Sequence, residues 1–128
     1  MGPDVLPLIT VEIRKGDSGF TGKALSKRRS FRGGLITVLG ESKSPGAAEA
    51  LRAVLHEDAW TTARRKAAFY LGERRDPQSV PGLIDALRKD GAEDVREEVR
   101  GALRKCVGKD LGPNPDVWDA WWKEHAGA

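Results

Sequence analysis

The chain has 128 residues, 39% hydrophobic and 32% charged, a balance that fits a helix-rich globular protein and excludes a disordered one. Its longest apolar stretches, such as Val5 to Val11, are far too short to span a bilayer. The net charge of +3 is uneven: residues 1–75 hold 14 Lys/Arg against 8 Asp/Glu, and residues 76–128 hold 8 against 11. One end is therefore basic and the other mildly acidic.

The expected organisation is one domain over 1–128, in three parts. Residues 4–29 form an N-terminal helix and an irregular basic loop, 30–107 the repeats, and 108–128 a loop and a Trp-rich capping helix. Asp4 to Lys15 reads as a helix with Pro7 in its first turn, where a missing N–H is tolerated. Gly16, Asp17, Ser18, Gly19 and Gly22 then predict a loop, with a short turn at Lys23 to Lys27. Lys27, Arg28 and Arg29 are the densest basic run of the chain, a contact for an anionic partner or a solvated approach to the next helix.

From Ser30 to Leu103 the chain repeats itself every 32 residues. Ser30-Phe31-Arg32, Thr62-Ala63-Arg64 and Asp94-Val95-Arg96 coincide, then Leu35, Ala67 and Val99, then Leu39, Leu71 and Leu103. A fixed period of this size marks a solenoid, whose units bury apolar faces against their neighbours. Ser30, Thr62 and Asp94 are placed to cap three helices, and Gly40 and Gly72 to end two of them in a left-handed turn. Second helices are expected at about residues 46–56 and 79–89, joined by turns at Glu57-Asp58 and Asp90-Gly91. Short connections imply antiparallel hairpins.

The third unit departs from this scheme. Its helix runs on to about Val107, a loop follows, and Asn114-Pro115 opens a last helix. Val117, Trp118, Trp121 and Trp122 share one side of that helix and can seal the end of an open core. Trp60 is expected to pack against the preceding helix.

These residues resemble HEAT repeats, in the short bacterial form also called HEAT-like or PBS-lyase-type. The resemblance rests on Val80-Pro81, Leu83-Ile84, Ala86-Leu87, Asp90, Val95-Arg96, Val99 and Ala102-Leu103, with Leu51, Leu55, Asp58, Arg64, Ala67 and Leu71 repeating them. It covers about residues 34–125 and implies an all-α fold: a short right-handed α-solenoid of about three antiparallel hairpins plus the cap. It also implies that a turn aspartate and an arginine of the following helix bridge adjacent repeats. The pairs would be Asp58 with Arg64 and Asp90 with Arg96; Arg32 lacks one, since its matching position is Ser26. The ladder Arg32, Arg64, Arg96 then reads as structural.

The family implies a scaffold or adaptor that binds another protein, with the second helix of each hairpin lining a concave side. Positions facing away from the apolar stripe there are Gly33, Arg65 and Glu97, and Thr37, Phe69 and Gly101. With Lys66 and Glu98 nearby the row carries both signs, which suits a protein partner better than a phosphate backbone. Trp121 is the candidate anchor at the C-terminal end. Two further readings are nucleic-acid binding, motivated by Lys27, Arg28, Arg29, Arg65, Lys66, Arg74 and Arg75, and a bilin-lyase-like activity that the repeat type suggests. Self-association is also left open.

Chemistry has little to work with. His56, His125 and Cys106 lack the spacing of a metal site, and Glu97-Glu98 reads as helix surface rather than an acid/base pair. The expectation is no catalytic residue, no metal and no cofactor. One cysteine excludes an internal disulfide, and with no signal-peptide pattern it favours the cytoplasm.

Overall fold

A computed structural model describes residues 5–126, and the expected helix start at Asp4 lies outside them. The described residues form seven α-helices: α1 (Leu6–Arg14), α2 (Gly22–Glu41), α3 (Pro45–Glu57), α4 (Thr61–Arg74), α5 (Val80–Lys89), α6 (Glu93–Val107) and α7 (Pro115–His125). A 3-10 turn at Pro77–Ser79 leads into α5. α1/α2, α3/α4 and α5/α6 pair as hairpins; α2, α4 and α6 stack in one layer, α1, α3 and α5 in the other, and α7 closes on α5. This is a short helical-repeat solenoid. None of the helices is long and apolar enough to cross a membrane.

The core lies between the layers. Ile13, Ile36, Leu39, Leu51, Leu55, Leu71, Leu83 and Leu103 are fully buried there. Where two share a helix they fall three or four residues apart, as Ile36 and Leu39 or Leu51 and Leu55 do, which puts them on one inward face. α1 is helical as expected, but Leu8 stays exposed while Ile9 is buried, so the pair does not copy Leu83-Ile84, where both are buried.

α2 differs most from expectation. The helix starts at Gly22, so residues 22–29 are helical, not loop, and Ser30 lies mid-helix. Lys23 to Leu25 are adequate helix formers, yet Lys23 and Ala24 are exposed, so no apolar periodicity announces them. Thr62 and Asp94 likewise lie inside helices; the N-caps are Trp60 and Ala92. The capping work falls to the turn aspartates. Asp58 Oδ1 accepts from the Trp60 N–H and Asp90 Oδ1 from the Ala92 N–H, each at 3.0 Å.

Gly40 and Gly72 are not helix ends either. Gly40 lies within α2 and Gly72 within α4, where Arg75 supplies the left-handed cap at φ 53°. Their role is close approach between stacked helices. A Cβ on Gly72 would sit 2.7 Å from the Ala102 Cα of α6, and one on Gly40 would collide with the Tyr70 ring of α4. The period at these glycines records inter-helix contact, not termination.

The last helix follows the expectation closely. Asn114 Oδ1 accepts from the Asp116 N–H at 2.9 Å, with Pro115 at the first helical position. Trp118 is buried and its Nε1 donates to the Gly112 carbonyl at 2.6 Å. Trp122 packs partly on the core, and Val117 stays 45% exposed, so one indole rather than the whole row seals the end.

Candidate functional site

Arginines and aspartates run along the hairpin turns as a continuous chain of polar contacts. Arg32 is 1% exposed; its Nε donates to the Ile13 carbonyl, its Nη1 to Asp17 at 2.7 Å, and its Nη2 to the Asp58 carboxylate. Arg64 grips Asp90 bidentately at 2.8 and 3.1 Å and donates Nη1 to the Asp58 carbonyl at 2.9 Å. Arg96 donates to the Asp90 carbonyl at 2.7 Å.

The carboxylate partner is therefore the aspartate 26 residues ahead, in the next hairpin's turn. The expected pairs Asp58/Arg64 and Asp90/Arg96 do meet, but through the aspartate's main-chain carbonyl. Arg32, expected to lack a partner, has two: Asp17 and Asp58. The reason is the stacking itself, which lays the first part of α4 against the α5/α6 turn. Burial pushes the Asp90 carboxyl up, but the Arg64 hydrogen bonds and the Ala92 N–H outweigh it and hold it below the usual carboxylate range. Asp17 is also pushed up by burial and, on balance, held low by Arg29 and Arg32.

The α2/α4/α6 layer carries the mixed-charge row. Phe69 stands on it 40% exposed, with the Lys105 ammonium 4.9 Å above its ring centroid and Tyr70 edge-on at 5.1 Å. Thr37 and Gly101 hold the same register position on the neighbouring helices, and a Cβ on Gly101 would meet open space. Arg65 approaches Asp94 at 3.8 Å, and Lys105 pairs with Glu73, whose carboxyl it holds below the usual range. Glu97 is exposed and Glu98 half-buried. Gly33 does not belong to this surface: it is buried, and Lys66 Nζ donates to its carbonyl at 3.0 Å.

The basic candidates near the N-terminus are largely turned inward. Arg28 donates to the Gly16 and Glu12 carbonyls, and Arg29 pairs with Asp17 at 2.9 Å while lying over the Trp60 ring. Arg74 donates to the Ser42 and Ser44 carbonyls. Lys27 remains exposed. At the other end Trp121 is half-buried and stacks on His125 at 4.1 Å, with Lys109 over its ring at 5.7 Å.

A cleft of about 410 Å³ opens between α1, α2, α3 and the turns that join α1 to α2 and α3 to α4, a feature that no periodicity announces because its walls come from separate elements. Ala50, Ala53 and Val54 form its apolar wall, Arg32 with Asp17 and Asp58 its polar one, and the Arg14–Glu57 pair at 3.2 Å lies on its rim. Every buried side-chain polar atom among the described residues has a partner. Cys106 is half-buried, and burial pushes its thiol up to about 11, which keeps it protonated and a poor nucleophile. Among the described residues no three His, Cys, Asp or Glu side chains are grouped to hold a metal.

Stacked antiparallel hairpins, closely packed at glycines and tied by arginines that reach the next turn, define an α-solenoid of short repeats. The family model for HEAT repeats matches residues 22–104, and the chain belongs to that family. No curated protein and no solved structure matches it. HEAT repeats generally mediate protein–protein interaction and are generally non-catalytic.

Proposed function

We propose that this chain is a non-enzymatic scaffold or adaptor that holds a segment of another protein on its α2/α4/α6 face, with Phe69 as the anchor. The observation that carries the reading is the exposed Phe69 ring at the middle of that face. An aromatic flanked by small residues and ringed by both charge signs suits an apolar side chain set in a charged peptide. Arg65 and Glu97, both exposed, then act as the polar rim that fixes register, while Lys66 and Glu98 are half-buried beside it. Trp121 is the weaker anchor, since His125 already covers one face of its ring.

Nucleic-acid binding is less well supported. Arg28, Arg29, Lys66 and Arg74 spend their donors within the fold, which leaves no continuous basic stripe for a phosphate backbone. The test is a pull-down with the wild-type chain beside an Arg65→Glu/Phe69→Ala variant, followed by titration of each captured protein. Loss of a partner by a variant with unchanged helical circular dichroism supports the reading. Retention of every partner overturns it, and duplex binding that fades between low and physiological salt replaces it with the nucleic-acid one.

A further inference from the structure

Along α2, Ala24, Lys27, Phe31, Gly34, Val38 and Glu41 recur at alternating spacings of three and four, and all six are exposed. That spacing aligns them as one seam along the helix. Shifted by the 32-residue register, its central positions become Ala63, Lys66 and Tyr70 on α4, and Val95, Glu98 and Ala102 on α6. There the seam is the stacking surface. Lys66 reaches the Gly33 carbonyl, Tyr70 covers Gly40, and Ala102 lies against Gly72. On α2 no helix among the described residues stacks on it, and Phe31 and Val38 are 50% and 41% exposed.

We propose that a second copy of this chain docks on the seam, α2 against α2, antiparallel about a two-fold axis at Gly34. Charge selects this occupant. Lys27 and Glu41 lie seven residues either side of Gly34, so the two-fold sets Lys27 of each copy opposite Glu41 of the other. Both are exposed, and neither has an ion-pair partner among the described residues. The same pairing brings Phe31 over the other copy's Val38.

Gly34 has open space above it and no side chain, which lets the two helices approach closely at the axis. Arg28 lies over Phe31 at 5.7 Å and over Phe20 at 5.4 Å, holding the ring in place before docking. Head-to-tail stacking has no matching surface, because on α6 the register positions of Gly33 and Gly40 carry Glu97 and Arg104, exposed charges where an apolar seam would have to seat. An isologous contact is the arrangement that buries a single apolar end.

Sedimentation of the wild-type chain at roughly 100 μM, where a micromolar dimer is saturated, should show a dimer. Lys27→Glu and Glu41→Lys each place like charges across the axis and should each raise the dimer Kd roughly tenfold. Mixed one to one, the two variants regain both attractive pairs and should form a heterodimer in preference to either homodimer. Phe31→Glu, an exposed site, should give a helical monomer. A monomeric wild type, a dimeric Phe31→Glu variant, or a mixture that associates no better than its components overturns the proposal.

Discussion

At its C-terminal end the stack is closed by its own chain, while at its N-terminal end the same kind of surface is left apolar and bare. Trp118 is buried against α5, Leu111 packs on the core, and Arg100 holds Asp110 at 3.0 and 2.9 Å so that the loop lies over α6. Arg88 ties α5 to α7 through Asp116 at 2.6 Å. In the N-terminal hairpin, Val5, Leu8, Val11, Phe20, Phe31 and Val38 are all exposed. A solenoid core has no natural end, so each terminus needs either a dedicated cap or another surface. The C-terminal end has the cap on α5 and exposed charges at Glu97 and Arg104 on α6; the N-terminal end keeps an apolar stacking surface.

The sharpest way to break this contrast is to cut the two ends alike. Trp118→Ala should cost about 3–5 kcal/mol in chemical denaturation, because it empties a buried site. Phe31→Ala, in dilute monomeric protein, should stay within about 0.5 kcal/mol of wild type. Equal losses would show that the ends are finished in the same way.

The arginine ladder should grade in the opposite direction. Arg32→Ala strips the buried Asp58 carboxylate of its arginine and leaves Asp17 with Arg29 alone, and should cost about 3–5 kcal/mol. Arg96→Ala removes a contact to one carbonyl and should cost about 1 kcal/mol. Similar losses at both sites would refute the reading that the ladder weakens toward Arg96.

Glycines distinguish stacked from open positions on a smaller scale. Gly72→Ala forces α4 from α6 and should destabilise by about 1–3 kcal/mol. Gly101→Ala meets open space in a helix and should stabilise by about 0.5–1 kcal/mol. Thermal melts of the pair read both signs.

The smallest effect is in acid. Asp17 and Asp90 have carboxyls held below their unfolded value, so their contribution is full above about pH 5 and lost as pH falls below about 4 and through the lowered folded values. Asp90→Asn should flatten part of that loss in a pH series of melts. An unchanged acid limb would mean that Asp90 does not couple folding to pH.

Much of the fold was legible because periodicity reports which face of a helix is buried. Leu39, Leu71 and Leu103 share one register position and one degree of burial, and Asn114-Pro115 begins a helix by local chemistry alone. Residues 22–29 were missed because a helix with an exposed face shows no apolar rhythm. The candidate face was partly legible: Phe69 and Arg65 are exposed where expected, while Gly33, Arg28 and Arg29 are absorbed by contacts from elements far along the chain.

The sequence by itself determined the 32-residue register, the hairpins and the family. Each follows from spacing within one helix or from turn chemistry within a few residues. Only the tertiary structure decided what the repeated residues touch. It gave Arg64 to Asp90 rather than to the Asp58 carboxylate, and it made Gly40 and Gly72 contact points instead of helix ends. It also left the α2 seam uncovered where α4 and α6 bury theirs. A repeat fixes which positions are equivalent, but a partner is set by which neighbour the stack brings within reach, and at the outer seam of α2 the described stack supplies none.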